Sequence, residues 1–285
     1  TVCSHAQNFQ WSSRYGGTGN DRLHDISIDV DGNNSFCGIF FPAITLGSYT
    51  LTTTSSIQQP FIAKSDINGN VQWAIHIAAS NSTIIDRITN DKIGNIYLTG
   101  SYRDTIWLAP SIYLVSKPGY SSAFIASYSS NGLFRWVINS NQTGNGNSRG
   151  RGIVTDDSCN VYIAGTFQSS SFTFGSYVIN PVSTTDCFLL KIDSTGQVKW
   201  LNSLISGSSN INNMDINQSG ELFITGNMTS TVTIGPYTLS PLAATTNAIA
   251  IKTNRHGQVL KAIRVAAVTS GGSLGWAIAK APAGG

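Results

Sequence analysis

The sequence predicts an all-β fold made from four copies of one unit of roughly 62 residues, and phased repeats with a period-two apolar pattern carry that prediction. One motif reads PFIAKSDINGNVQW at 60–73, AFIASYSSNGLFRW at 123–136, CFLLKIDSTGQVKW at 187–200 and AIAIKTNRHGQVLK at 248–261. Its turn glycines Gly69, Gly132, Gly196 and Gly257 are 63, 64 and 61 residues apart. A second motif recurs in step at 31–40, 93–102, 158–167 and 219–228, with glycines Gly38, Gly100, Gly165 and Gly226. A third, TLGSYTL at 45–51, returns at 107–114, 173–179 and 233–239. Periods of this size mean one supersecondary unit stacked on copies of itself. The repeats run about 17–79, 80–142, 143–206 and 207–266, within one domain spanning 1–285.

Each unit reads as four antiparallel strands. Strand A is DISIDV (25–30) and strand B SFCGIF (35–40), followed by a small hairpin around Leu46-Gly47-Ser48-Tyr49. Strand C is FIAKSD (61–66) and strand D VQWAIHI (71–77). In D, Val71, Trp73, Ile75 and Ile77 are placed on one face and Gln72, Ala74 and His76 on the other. The dipeptides at 31–32, 68–69, 131–132 and 195–196 end in glycine, which accepts the positive φ of tight turns. No run of ten residues carries a helical stripe. Four such strands per repeat describe a β-propeller blade, whose two apolar faces pack on its neighbours. Trp73, Trp136 and Trp200 recur in strand D and are expected to wedge between blades, each burying about 150–250 Å². The fourth copy has Lys261 in that place.

Residues 8–16 (NFQWSSRYG) match only strand D, with Trp11 in the Trp73 position, and residues 271–279 match only the start of strand A. The fold expected is therefore four complete blades plus terminal half-blade strands, a fifth blade left incomplete. The two ends could pair directly, the chain could be part of a longer one, or another molecule could supply the missing strands, since open edges template strand addition.

Only 11% of residues are charged, against about 25% in ordinary soluble domains. The net charge of +3 is spread thinly with no basic run, which argues against nucleic acid or an acidic membrane surface as partner. No stretch has the roughly 18–20 apolar residues of a membrane span. The opening TVCSHAQNFQ is too polar to be a signal peptide, so residue 1 is expected to follow a completed cleavage. Abundant Ser, Thr and Asn suggest a secreted or cell-surface protein. Four cysteines fit an oxidising compartment, and Cys3–Cys37 with Cys159–Cys187 is the favoured pairing of three. The strand assignment, however, sets Cys159 and Cys187 toward opposite ends of a blade. Sequons stand at Asn33, Asn81, Asn141, Asn217 and Asn227; Asn33, Asn141 and Asn217 fall in expected turns and are the better acceptors.

The units resemble the SBBP repeat, a β-propeller family of secreted and surface proteins of bacteria. IGNIYLTG (93–100), TFG (173–175) and FIAKSDINGNVQW (61–73) carry the likeness, which covers about residues 16–265. The resemblance implies an extracellular location and non-catalytic binding or scaffolding, and it brings no active-site motif.

Residues capable of chemistry are scattered. His5, His24, His76 and His256 occupy non-equivalent places; His76 is expected on a strand surface, and adjacency should send His24 and Asp25 to opposite faces. Asp29-x-Asp31-Gly32-Asn33 and Asp66-x-Asn68-Gly69-Asn70 resemble calcium-loop fragments, but glycine is fourth where an EF-hand needs it sixth, so a plain hairpin turn is expected. No catalytic residue, metal or cofactor is assigned. Aromatics between strands B and C (Tyr102, Trp107, Tyr113 and Tyr120) suit stacking on sugars, with Trp107, Tyr113 and Tyr120 as the candidates; packing of the small hairpin is the competing reading for Trp107 and Tyr113. The function expected is an adhesive or structural module that associates end to end with other copies, or binds surface proteins or glycans. A lectin is the alternative and an enzyme ranks last.

Overall fold

A computed structural model describes residues 11–265 except 143, 169 and 243–245. The first unit contains β1 (Arg22–Ile28), β2 (Asn34–Phe40), the small hairpin β3 (Ala43–Leu46) and β4 (Tyr49–Thr52), β5 (Gln59–Ser65), β6 (Val71–His76) and β7 (Ala78–Ala79). The second contains β8 (Thr83–Asn90), β9 (Ile96–Arg103), β10 (Thr105–Ala109), β11 (Ile112–Val115), β12 (Ser121–Tyr128) and β13 (Phe134–Gln142). The third contains β14 (Ser148–Thr155), β15 (Val161–Phe167), β16 (Phe172–Phe174), β17 (Tyr177–Ile179), β18 (Asp186–Ile192) and β19 (Val198–Ile205). The fourth contains β20 (Ser209–Ile216), β21 (Leu222–Met228), β22 (Val232–Ile234), β23 (Tyr237–Leu239), β24 (Asn247–Thr253) and β25 (Val259–Val265). Among the described residues there is no helix, and none therefore that is long and apolar enough to cross a membrane.

In every unit the four main strands pair antiparallel in chain order, as β1-β2-β5-β6 in the first. Strand A begins about three residues earlier than the sequence suggests, at Arg22 rather than Asp25, and ends at Ile28 because Asp29 turns the chain. The chain at the end of each of the first three D strands then reaches the small hairpin of the next unit: β7 pairs with β10, β13 with β16, and Ser206 bridges to Thr233. Gly16 bridges to Thr45 in the same manner, although residues 11–15 carry no strand assignment; residues 8–10 and 271–279 lie outside the described residues.

The cores lie between sheets. Cys37, Ile62 and Ile77 of the first unit meet Ile96, Phe124 and Tyr128 of the second. Tyr97 and Ile125 meet Ile163 and Phe188 of the third, and Tyr162 and Leu189 meet Ile224 and Ile251 of the fourth. The period-two reading of strand D fails at its first residue. A bulge opposite Lys64/Ser65 aligns Trp73 with Lys64 but Val71 with Ser65, adjacent residues that point to opposite faces. Val71 accordingly packs with Phe40 and Phe61, whereas Trp73 joins the core shared with the second unit. The same bulge recurs at Ser127/Tyr128, Lys191/Ile192 and Lys252/Thr253.

Candidate functional site

The junction between units is a repeated latch. The indole N–H of Trp73 donates to the Ser130 carbonyl of the next unit (3.1 Å), and that of Trp136 to the Ser194 carbonyl (3.0 Å). Each ring lies on the following turn glycine: a Cβ on Gly132, Gly196 or Gly257 would meet Trp73, Trp136 or Trp200 within 3.0 Å. Those glycines also have φ of 79°, 90° and 77°, so both space and backbone exclude a side chain. Trp11 repeats the geometry on the first unit, donating to the Ile67 carbonyl at 2.8 Å and covering Gly69. The wedge expected of these tryptophans is what they form.

Among the described residues the latch leaves two faces without a neighbouring sheet. On β1, Asp25 accepts from the Ile88 amide (2.9 Å) and Ser27 from Asn90, so this side faces the second unit. Ile26 and Ile28 point the opposite way and, like Val30 in the following turn, are exposed, at 52%, 67% and 72%. Tyr15 stacks on Phe36 of the same sheet (5.5 Å between centroids). At the other extreme, Lys261 stands in the tryptophan place, and Ile263 and Val265 on β25 are exposed. Lys252 covers Phe223 on the same sheet (5.6 Å) and pairs with Glu221 (2.8 Å).

A smaller surface lies on the hairpin of the second unit. Trp107 and Tyr113 are direct cross-strand partners, and both are exposed. The corresponding pairs are Thr45/Thr50, Thr173/Val178 and Thr233/Thr238, so the aromatic pair belongs to this unit alone among the described hairpins. Ile106 and Leu108 on the reverse face do the packing. Tyr120 is half-buried with the Lys117 ammonium 5.8 Å from its ring. Tyr102 is wholly buried, its hydroxyl accepting from Asn139 at 2.9 Å, so it offers nothing to a ligand.

The first carboxylate of each calcium-like fragment, Asp29 or Asp66, is spent on its own turn. Asp29 accepts from the amides of Asp31 and Asn33 and from the Asn33 side chain, at 3.0, 2.9 and 3.0 Å. Asp66 repeats this with Asn68 and Asn70, and Asp91 and Asp156 do so in later units. Asp29 also pairs with buried Lys64 at 2.9 Å. These are hairpin staples. Among the described residues no group of three or more His, Cys, Asp or Glu could hold a metal ion.

The favoured disulfides are not formed. Cys37, Cys159 and Cys187 are free buried thiols, and Cys3 lies outside the described residues. Cys159 occupies the turn at left-handed φ (59°), while Cys187 sits at the far end of β18, opposite Thr166, with its sulfur 3.3 Å from the Ser209 hydroxyl. Burial pushes the Cys187 thiol up to about 12.

The sequons also divide differently. Asn33 and Asn217 lie in turns, but their amide nitrogens donate to Asp29 (3.0 Å) and Glu221 (2.8 Å). Asn141 lies on β13 rather than in a turn, and it is exposed. Asn81 donates to Asp104 at 2.7 Å, and Asn227 accepts from Asn212 on the neighbouring strand. The histidines stay apart. His24 donates through Nδ1 to the Ile85 carbonyl (2.8 Å), separately from Asp25, whose carboxyl burial raises. His76 is half-buried, edge-on to Phe40 at 5.2 Å, where burial lowers its pKa, so it is not the surface residue the strand pattern suggests. His256 is exposed in a turn; His5 is outside the described residues.

No family model matches the chain. It is 25% identical over 210 residues to an uncharacterized WD repeat-containing protein of Acanthamoeba polyphaga mimivirus, a match covering 67% of this chain. The matched segment spans 15% of that protein's length.

Proposed function

We propose that the four units are blades of a β-propeller that acts without catalysis as a secreted or surface adhesion or scaffold module, and that copies associate end to end. The observation that carries the assembly is the pair of faces left without a neighbouring sheet among the described residues: Ile26 and Ile28 at one extreme and Ile263, beyond Lys261, at the other. Inner strands pack in the series β1, β8, β14, β20, which supports radial stacking, and the similarity to a WD repeat protein supports the same arrangement. Each apolar face calls for the kind of neighbour that every internal face has, and a second copy supplies one. Different faces meeting head to tail give rings or filaments. The low charge and the likeness to SBBP repeats favour the extracellular placement. Light scattering coupled to size exclusion at rising concentration should show species larger than one chain of 30.4 kDa; a strictly monomeric particle with a closed ring would remove the assembly.

A glycan-binding role is the second reading, favoured by the exposed Trp107–Tyr113 pair unique to one hairpin. Planar aromatics beside polar side chains suit the apolar face of a sugar ring. A glycan array that gives a saturable signal with the protein, and none with Trp107→Ala, is the expected result for a lectin; silence across the array removes it. An enzyme ranks last, because the turn carboxylates are already committed to backbone amides.

A further inference from the structure

The second residue surface that no motif announces lies where the inner strands meet. Each strand A carries a bulge at the same place: between Leu23 and Asp25, Ile85 and Arg87, Gly150 and Gly152, and Ile211 and Asn213. A bulge leaves one residue outside the ladder and re-aims its side chain. The residues so released are His24, Asp86, Arg151 and Asn212, and all four line one cavity of about 310 Å³. Arg22, Arg87 and Arg149 line it too, which sets four arginines against the single carboxylate of Asp86.

That carboxylate is fully engaged. Asp86 receives Arg149 in a two-point contact, Nε to Oδ2 at 2.7 Å and Nη2 to Oδ1 at 2.6 Å. Arg87 spends its Nη1 on the Asp86 carbonyl (2.9 Å) and its Nη2 on the Asn212 carbonyl (2.6 Å), both neutral acceptors. Arg151 reaches Asp86 only at 3.9 Å and makes no hydrogen bond among the described residues. The Nε atoms of both Arg87 and Arg151 are buried without an acceptor. Buried donors left unpaired are costly, and a guanidinium fork is matched to an oxyanion. Burial, then the neighbouring Arg149, pulls Arg151 below its ordinary pKa, so the site as it stands disfavours its own charge. The Arg149 and Arg151 side chains keep 28% and 29% exposure, so solutes can reach them.

We propose that this cavity binds a small oxyanion, a carboxylate, phosphate or sulfate group held by Arg151 and Arg87 with Arg22 at the mouth. The inference is independent of the assembly and glycan readings above. The test uses the full chain in Tris-chloride at fixed ionic strength, titrated calorimetrically with sodium phosphate, sulfate or acetate in place of chloride. Saturable binding of at least one oxyanion is expected, and the preferred one assigns the tetrahedral or planar class. Arg151→Gln should weaken it at least about tenfold, as loss of a charge-assisted hydrogen bond does, while melting without added anion stays the same or rises. A merely structural arginine would instead lower that melting temperature and leave affinity alone. Should Arg151→Gln fail to fold, exposed Arg22→Gln reads the same quantity. No saturable signal from any oxyanion, or wild-type affinity in the variant that folds, overturns the site.

Discussion

A single side chain closes most of the hairpins, and its chemistry makes stability depend on acid. Burial alone would raise the carboxyls of Asp29 and Asp156, but hydrogen bonds from Lys64 and Asn33, and from Asn160 and Tyr162, outweigh it and leave both below 3.8. Asp66, held chiefly by the side chain and amide of Asn70, is lowered as well. A carboxyl whose folded pKa lies below its unfolded one contributes fully above the unfolded value, and the contribution disappears as pH falls through the folded value. Urea midpoints should therefore be level near neutrality and decline below about pH 5, with a smaller decline in Asp156→Asn. At the next position of one such turn, Cys159 stands at φ 59° where Gly32, Gly94 and Gly220 stand at 82°, 81° and 78°. A non-glycine residue there costs about 1 kcal/mol, so Cys159→Gly should raise the unfolding free energy by about that much in the same urea experiment. The glycine positions were legible in the sequence because a left-handed turn tolerates little else. The fate of the cysteines was not, because sequence order says nothing of which end of a strand a thiol occupies.

Strand D is the element that joins one unit to the next. Its bulge sends its first apolar residue to one interface and its tryptophan to the other, as Phe134 and Trp136 show by entering different cores. Trp136→Ala should cost about 3–5 kcal/mol, since it removes a large ring from an inter-sheet core and leaves the Ser194 carbonyl with Arg135 as its one remaining side-chain donor. Lys261→Ala, at the same register but exposed, should change stability by less than about 0.5 kcal/mol. Equal losses in calorimetric melting would show that the latch is not what stabilises the junction. Strand identity could be read from alternation and turn glycines, whereas the face each residue takes could not, because one extra residue inverts the parity without altering the apolar pattern.

Across the whole molecule, three inter-sheet cores among the described residues are shared by neighbours and the two extremes keep exposed apolar side chains. Ile26→Asp on one face and Ile263→Asp on the other should each reduce assembly to the single-chain species in light scattering, with melting of that species little changed. Both positions are exposed, so neither substitution buries a charge in the separate chain. Assembly that persists in both variants would sink the head-to-tail contact. The arginine-lined cavity belongs to this scale as well. Its members come from three different units, 22, 87, 149 and 151 in number, so a search for a basic run finds only a thin and uniform charge.

By itself the sequence determined the repeat, its four strands and the turn chemistry, because these are set by neighbours a few residues apart and are restated in every copy. Tertiary structure alone decided where the bulges fall, which thiols stay free, and how four residues some 60 positions apart come to face one another. Those outcomes depend on stacking whole sheets, and stacking brings together residues whose proximity no local pattern encodes.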